Sequence, residues 1–500
     1  MNITPIFLIA PAFIMACSSP TKVSLSLRQD NRLLLAAGEL TDQSIILQCR
    51  FNATDTLVNH DLPGLTGEGY FQVSSDTTFT DPIQTASLNA DESNDYIIRK
   101  YISGLIPDQK YYYRVIARLS EEDSDVASST GFFTTFPAES DIRQVKFATS
   151  TGFNYEKFYG IARPANGGQG LLMAEVASAY DQQRGFEAFE TVKQLQPDFF
   201  VANGDVVYYD SPNENSSFYA RTKKEMQAKW HRYFSLPRNR EMMLQVPVYY
   251  LKDDHDYRFN DCDTTIQKKE LPTHQDGVEV FREETPVVDL EDPSAKTYRT
   301  VRAGKLLQVW FGEGRDYRSP NLMEDGPDKT LWGQEQIEWL KTSLLESNAV
   351  YKLLISPTPM IGPDDAYKKD NHANFGGFQH ERQMFLEWLK ENGFLNKNFY
   401  LICGDRHWQY HSIHPEGFEE FSSGAFVDQN SRPGRVPGDP ESTDPEALLE
   451  VPYIQTEGKN SGGFLMVRVD TINDQPEISF TYYNTRGKEL YSVTKEAVAN

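Results

Sequence analysis

The chain has 500 residues, 39% hydrophobic and 12% aromatic, and a formal net charge of −23. That length exceeds one ordinary domain, so two or three are expected. The acidic balance opposes any general affinity for nucleic acid or for an anionic membrane surface, and no structured nucleic-acid binding is expected.

In chain order, residues 3–16 form an apolar run too short to span a bilayer, and Cys17 follows at once. Ile14-Met15-Ala16-Cys17 resembles the lipobox of bacterial lipoproteins, in which the cysteine is acylated. The resemblance implies a signal segment over 1–17, lipidation at Cys17, and export to the cell envelope (outer membrane and periplasm, or cell surface) with the membrane as a partner through the anchor. Residues 18–30 read as a polar tether. Cys49, Cys262 and Cys403 are widely spaced and odd in number, so they form neither a disulfide framework nor a zinc knuckle. Cys403 ends an apolar run and reads as core.

Residues 31–138 are patterned as short strands separated by Gly, Asp, Asn and Thr clusters. Leu105-Ile106-Pro107, followed by Tyr111-Tyr112-Tyr113, resembles the tyrosine corner of fibronectin type III sandwiches, which implies an all-β immunoglobulin-like domain here. Residues 138–141 read as its linker. From residue 142 strands alternate with helices, implying a layered α/β domain. Residues 171–196 carry one helical spacing, with Phe186, Phe189, Val192 and Leu195 on one face. Residues 225–234, 333–345 and 379–391 continue the helices. After residue 419 short β runs dominate, and a second antiparallel sheet packed on the first would account for them.

Three apolar runs end in polar loops. Residues 199–202 lead to Gly204-Asp205, residues 246–251 to Asp253-Asp254-His255-Asp256, and residues 399–403 to Gly404-Asp405-Arg406-His407. Ligand sites in α/β sheets lie at the carboxyl ends of strands. If the sheet is shared, these loops converge on oxygen and imidazole donors suited to hard or borderline metal ions.

Gly204-Asp205-x-x-Tyr208-x-Asp210 and the other two loops, in this order, resemble the calcineurin-like metallophosphoesterases, and most closely the PhoD-type alkaline phosphatase and phosphodiesterase family. Arg315-Asp316-Tyr317-Arg318, Gly333-Gln334-x-Gln336-x-x-Trp339-Leu340, Ser356-Pro357-Thr358-Pro359 and residues 376–382 support the likeness. The resemblance implies a four-layer α/β/β/α sandwich over 143–500 that hydrolyses phosphate esters with two or more metal ions, calcium, manganese or iron. Carried over residue by residue, Asp205 is the bridging ligand and Tyr208 a phenolate ligand. Asp254, Asn260, Asp405 and His407 are further ligands. His255 is the general acid, Asp256 its orienting carboxylate, and Arg315 and Arg406 clamp the phosphoryl group. Two departures stand out. Ser150 occupies a position where the family often has Cys or Asp, and no histidine follows the strand ending Ile355-Ser356. His411 and His414 read as surface residues near the site. The alternative is a non-catalytic or differently specialised ester-binding lipoprotein on the same fold.

Overall fold

The computed structural model describes residues 27–121, 124–161, 176–265, 272–292, 294–456 and 461–498. Cys17 and most of the expected tether lie outside them, as does the start of the expected 171–196 helix. The remainder of that stretch forms two helices, Ala179–Arg184 and Glu187–Leu195, divided at Gly185 (φ 88°). The periodicity is continuous across a break because Phe186 stays apolar while its backbone leaves the helix.

Two large sheets face one another. The first is nine-stranded and contains the parallel neighbours Val145–Ser150, Phe199–Asn203 and Val248–Leu251. The second is seven-stranded, with Leu307–Phe311, Tyr351–Ser356 and Phe399–Cys403 running parallel at its centre. Strand residues alternate between two cores, as a period of two requires. Phe147, Phe199, Val201, Tyr249, Val309, Ile355 and Ile402 fill the space between the sheets. Ala148, Phe200, Ala202 and Tyr250 instead meet the helices outside the first sheet, and Trp310, Leu354 and Leu401 those outside the second. With both faces covered, these strands read as continuous apolar runs. The result is the expected α/β/β/α layering.

Helices Lys223–Ser235 and His274–Glu284 pack on the first sheet. Each opens with a reciprocal cap, Thr222 with Glu225 and Thr273 with Asp276. Gln334–Glu346 and Gln379–Glu391 pack on the second.

The late β runs do not form a separate sheet. Gly463–Ile472 pairs antiparallel with Val145–Ser150 and extends the first sheet through Gln475–Asn484 and Glu489–Glu496. Glu419–Ser423 joins the second beside Phe399–Cys403.

The N-terminal β region has its own seven-stranded sheet, built on Gly67–Ser74 and Lys110–Leu119. Its tyrosine corner is present: the Ile106 N–H donates to the Tyr111 hydroxyl at 3.0 Å. The opposite layer of the sandwich, Leu33–Gly38, Ser44–Phe51 and Ile97–Ser103, is not separate from the α/β part. It continues the nine-stranded sheet, Gly38 pairing parallel with Val248. A side chain at Gly38 would place its Cβ 2.8 Å from the carbonyl oxygens of Val248 and Pro286, so glycine is required for that approach.

Candidate metal centre

The three loops meet at one edge although their strands belong to two sheets. Phe199–Asn203 and Val248–Leu251 end there from the first sheet and Phe399–Cys403 from the second. The sheets touch at this edge: Asn203 Nδ2 donates to the Ser356 carbonyl at 3.2 Å. A Cβ on Gly404 would sit 2.3 Å from the Asn203 carbonyl oxygen, so the Gly-Asp pair on the second sheet needs its glycine for contact.

Asp205, Asp254 and His255 bring ligand atoms within 4.8 Å of one another, and so do Asp254, Asp261 and Asp370. Asp254 is common to both groups, whereas the resemblance puts Asp205 in the bridging place. Tyr208 donates to Asp205 Oδ2 at 2.9 Å, and His407 Nε2 lies 3.2 Å from that oxygen and from the Tyr208 hydroxyl. Asn430 Nδ2 donates to the same hydroxyl at 2.7 Å. Asp405 is adjacent but engaged, accepting from Arg406 and standing 3.5 Å from Lys368 Nζ. Asn260 is exposed on the cavity wall, and its backbone N–H donates to Asp210 at 2.9 Å.

The buried carboxylates are not equivalent: burial would raise Asp254, but His255, Arg315 and Lys368 outweigh it and hold it well below the usual range, whereas others are raised. Burial pushes the Asp205 carboxyl far above the usual range, with Asp254, Asp256 and Asp405 adding to the effect. Burial likewise takes Asp370 to about 6 and Asp256 to about 8. Burial drives the His407 imidazole well below its ordinary value, helped by Lys157 and Arg432. Among the described residues, Asp205 Oδ1 and both Asp370 oxygens are buried without a hydrogen-bond partner, Arg315 Nη2 lying 3.6 Å from Asp370 Oδ2. Carboxylate oxygens left this way cost several kcal/mol each unless a cation meets them. Carboxylates with a phenol and imidazoles fit hard or borderline cations, so the residues present suit metal ions.

Several expectations are corrected. Asp210, not Asp256, holds His255: its Oδ1 lies 2.7 Å from His255 Nδ1. Asp256 instead accepts from the Asp253 and Val206 N–H groups, at 2.6 and 3.0 Å, and staples two loops together. Burial opposes protonation of His255, but Asp210, Asp254 and Asp205 around it outweigh that and raise its pKa strongly.

Arg315 and Arg406 do not face the cavity. Arg315 is wholly buried on Asp253, at 2.5 and 2.7 Å, and Arg406 is wholly buried on Asp364 and Asp405. The cations lining the cavity, which holds about 380 Å³, are Lys157, Lys368 and Arg432. Ser150 turns away, donating to the Gly424 and Gly463 carbonyls at 3.0 and 2.9 Å. The segment after its strand contributes Asn154 and, from the one-turn helix Tyr155–Phe158, Lys157 instead. His411 is buried rather than superficial, 2.7 Å from Glu419 and stacked on Phe421. His414 is partly buried and, like His411, lies outside the cavity lining.

The profile of the PhoD-like phosphatase family matches residues 172–499, and that of the PhoD-like phosphatase N-terminal domain matches residues 22–137. Alkaline phosphatase D of Bacillus subtilis (strain 168) is 22% identical over 466 residues, 84% of this chain and 72% of that protein. The solved structure of PhoD superposes with a TM-score of 0.69 at 18% identity, over 95% of this chain and 92% of that one. Purple acid phosphatase PPD1 from yellow lupin (Lupinus luteus) seeds gives 0.59 at 12% identity, over 94% and 74%.

Proposed function

The chain belongs to the PhoD-like phosphatase family of metal-dependent phosphoesterases, and on that premise we propose that it is an alkaline phosphatase D-type hydrolase of phosphate mono- or diesters, working in the cell envelope. The observation that carries this reading is the carboxylate cluster of Asp205, Asp254, Asp261 and Asp370, with the His255 imidazole of the first group fixed on its own carboxylate, Asp210.

Asp205, Asp254, Asp261 and Asp370, with Tyr208 and His407, would hold the metal ions. When bound, calcium, manganese or iron would neutralise phosphoryl charge and acidify water. His255, pinned through Nδ1 to Asp210, presents its other nitrogen as the acid for the leaving oxygen. The Tyr208 ring, 4.2 Å from the imidazole centroid, keeps that ring in place. Lys368, 2.8 Å from Asp261 and 3.5 Å from Asp405, offsets part of the acidic floor.

Chelation followed by gel filtration is expected to cut turnover of p-nitrophenyl phosphate and bis-p-nitrophenyl phosphate by at least about a hundredfold, with recovery on re-adding metal. Full turnover by metal-free protein would overturn the reading. Envelope location rests on the Cys17 setting; among the described residues no helix is long and apolar enough to cross a membrane. Cells fed labelled palmitate are expected to mark the wild type and not Cys17→Ser. An unlabelled wild type would remove the anchor.

A further inference from the structure

The three cations on the cavity wall are not equivalent. Lys368 is matched by Asp261 and Asp405, and Arg432 donates to Asp365 at 2.8 Å while lying 4.6 Å above the Trp408 ring. Lys157 has no carboxylate within ion-pair distance among the described residues. Its Nζ donates to the neutral Asn430 Oδ1 at 2.6 Å. The same amide donates to the Tyr208 hydroxyl at 2.7 Å, so one side chain sets the ammonium relative to the metal-ligand group. The backbone is also held, the Lys157 N–H donating to Asn154 Oδ1 at 2.9 Å.

An ammonium has three donors, and among the described residues one of them is used. Arg432 lines the same cavity as Lys157, so two cationic side chains face one pocket. That arrangement suits an arriving anion. Ester chemistry then discriminates. A monoester has three non-bridging oxygens and up to two negative charges. In a diester the third oxygen carries a second organic group. Resting on the phosphatase reading above, we propose that Lys157, with Arg432 beside it, receives the third non-bridging oxygen of a phosphomonoester and gives this chain a preference for terminal phosphates over diesters.

The test compares kcat/KM for p-nitrophenyl phosphate and bis-p-nitrophenyl phosphate, and the inhibition constant of inorganic phosphate, in metal-loaded wild type, Lys157→Met and Lys157→Arg. In Lys157→Met the monoester-to-diester ratio is expected to fall about tenfold or more, with a matching rise in the phosphate constant, as for loss of one charge-assisted hydrogen bond. Lys157→Arg keeps a charged donor and is expected to recover most of the ratio lost in Lys157→Met. A ratio and a phosphate constant within twofold of wild type in Lys157→Met would overturn the proposal, including when both activities fall together as a structural role would cause. So would a wild type that favours the diester. A wild type hydrolysing neither ester overturns the phosphatase reading itself, and is seen before any variant is made.

Discussion

Asp205 (φ 56°) and Asp405 (φ 57°) both occupy the left-handed region, each directly after a glycine at the end of a strand, one in each sheet. A side chain there costs roughly 1–2 kcal/mol, and aspartate is among the few residues that tolerate it. The strand-to-Gly-Asp pattern was readable because the backbone reversal demands those residue types. Asp261, Asp370 and Lys368 could not be found that way: they stand on irregular loops, where no period marks a direction. Asp261 is the neighbour of Asn260, the residue the family likeness pointed to. Arg315 and Arg406 were misread for a physical reason. An arginine after a strand can face solvent or a buried carboxylate, and only the packing decides. The Asp210 and Asp256 roles can be separated by measurement. Asp210 raises the His255 pKa, so Asp210→Asn is expected to lower kcat about tenfold and to move the alkaline limb of the pH–rate profile toward lower pH. Asp256→Asn is expected to leave that limb in place and to lower the unfolding midpoint. The reverse pattern would restore Asp256 as the orienting group.

Among the elements, buried strands were legible wherever apolar residues ran unbroken, as in Phe199–Asn203 and Phe399–Cys403, but their assignment to sheets was not. Periodicity identifies a strand and says nothing about which neighbour it pairs with. The acidic stretch 432–451 is tied inward at its start. Arg432 and Arg435 both donate to buried Asp365, at 2.8 and 2.6 Å, which fixes this segment against the cavity. Burial alone would raise the Asp365 pKa, but Arg432 and Arg406 outweigh it and bring it from 3.8 to about 2. A depressed carboxylate stabilises the fold fully above its unfolded pKa, and the contribution fades as pH falls toward the folded value. Asp365→Asn is therefore expected to lose about 2 kcal/mol at pH 7, because a tenfold change in proton affinity is worth roughly 1.4 kcal/mol, with the deficit shrinking between about pH 4 and pH 2. Denaturant titrations across that range check it, and a deficit independent of pH would refute it.

For the whole molecule, the order of a β region before an α/β region was legible, and their fusion was not, because nothing local announces that two strands far apart in sequence will pair. Beyond the Gly38–Val248 contact, His231 lies 2.6 Å from both Asp61 and Asp95, and Glu39 holds Arg299 at 2.5 and 2.6 Å. The hydrophobic core between the two main sheets runs on into the N-terminal sandwich. Calorimetry is expected to record one cooperative transition whose calorimetric and van't Hoff enthalpies agree; two separate transitions would show that the halves melt independently. The same continuity bears on any shortened version of the enzyme. A chain starting after the leading sandwich would lose Gly38 from the flank of Val248–Leu251. The bared strand rim, with unmet amide groups beside a newly exposed apolar face, would invite chains to stack and precipitate. The leading sandwich would then serve the catalytic half as a cover for that rim at Gly38 and Val248.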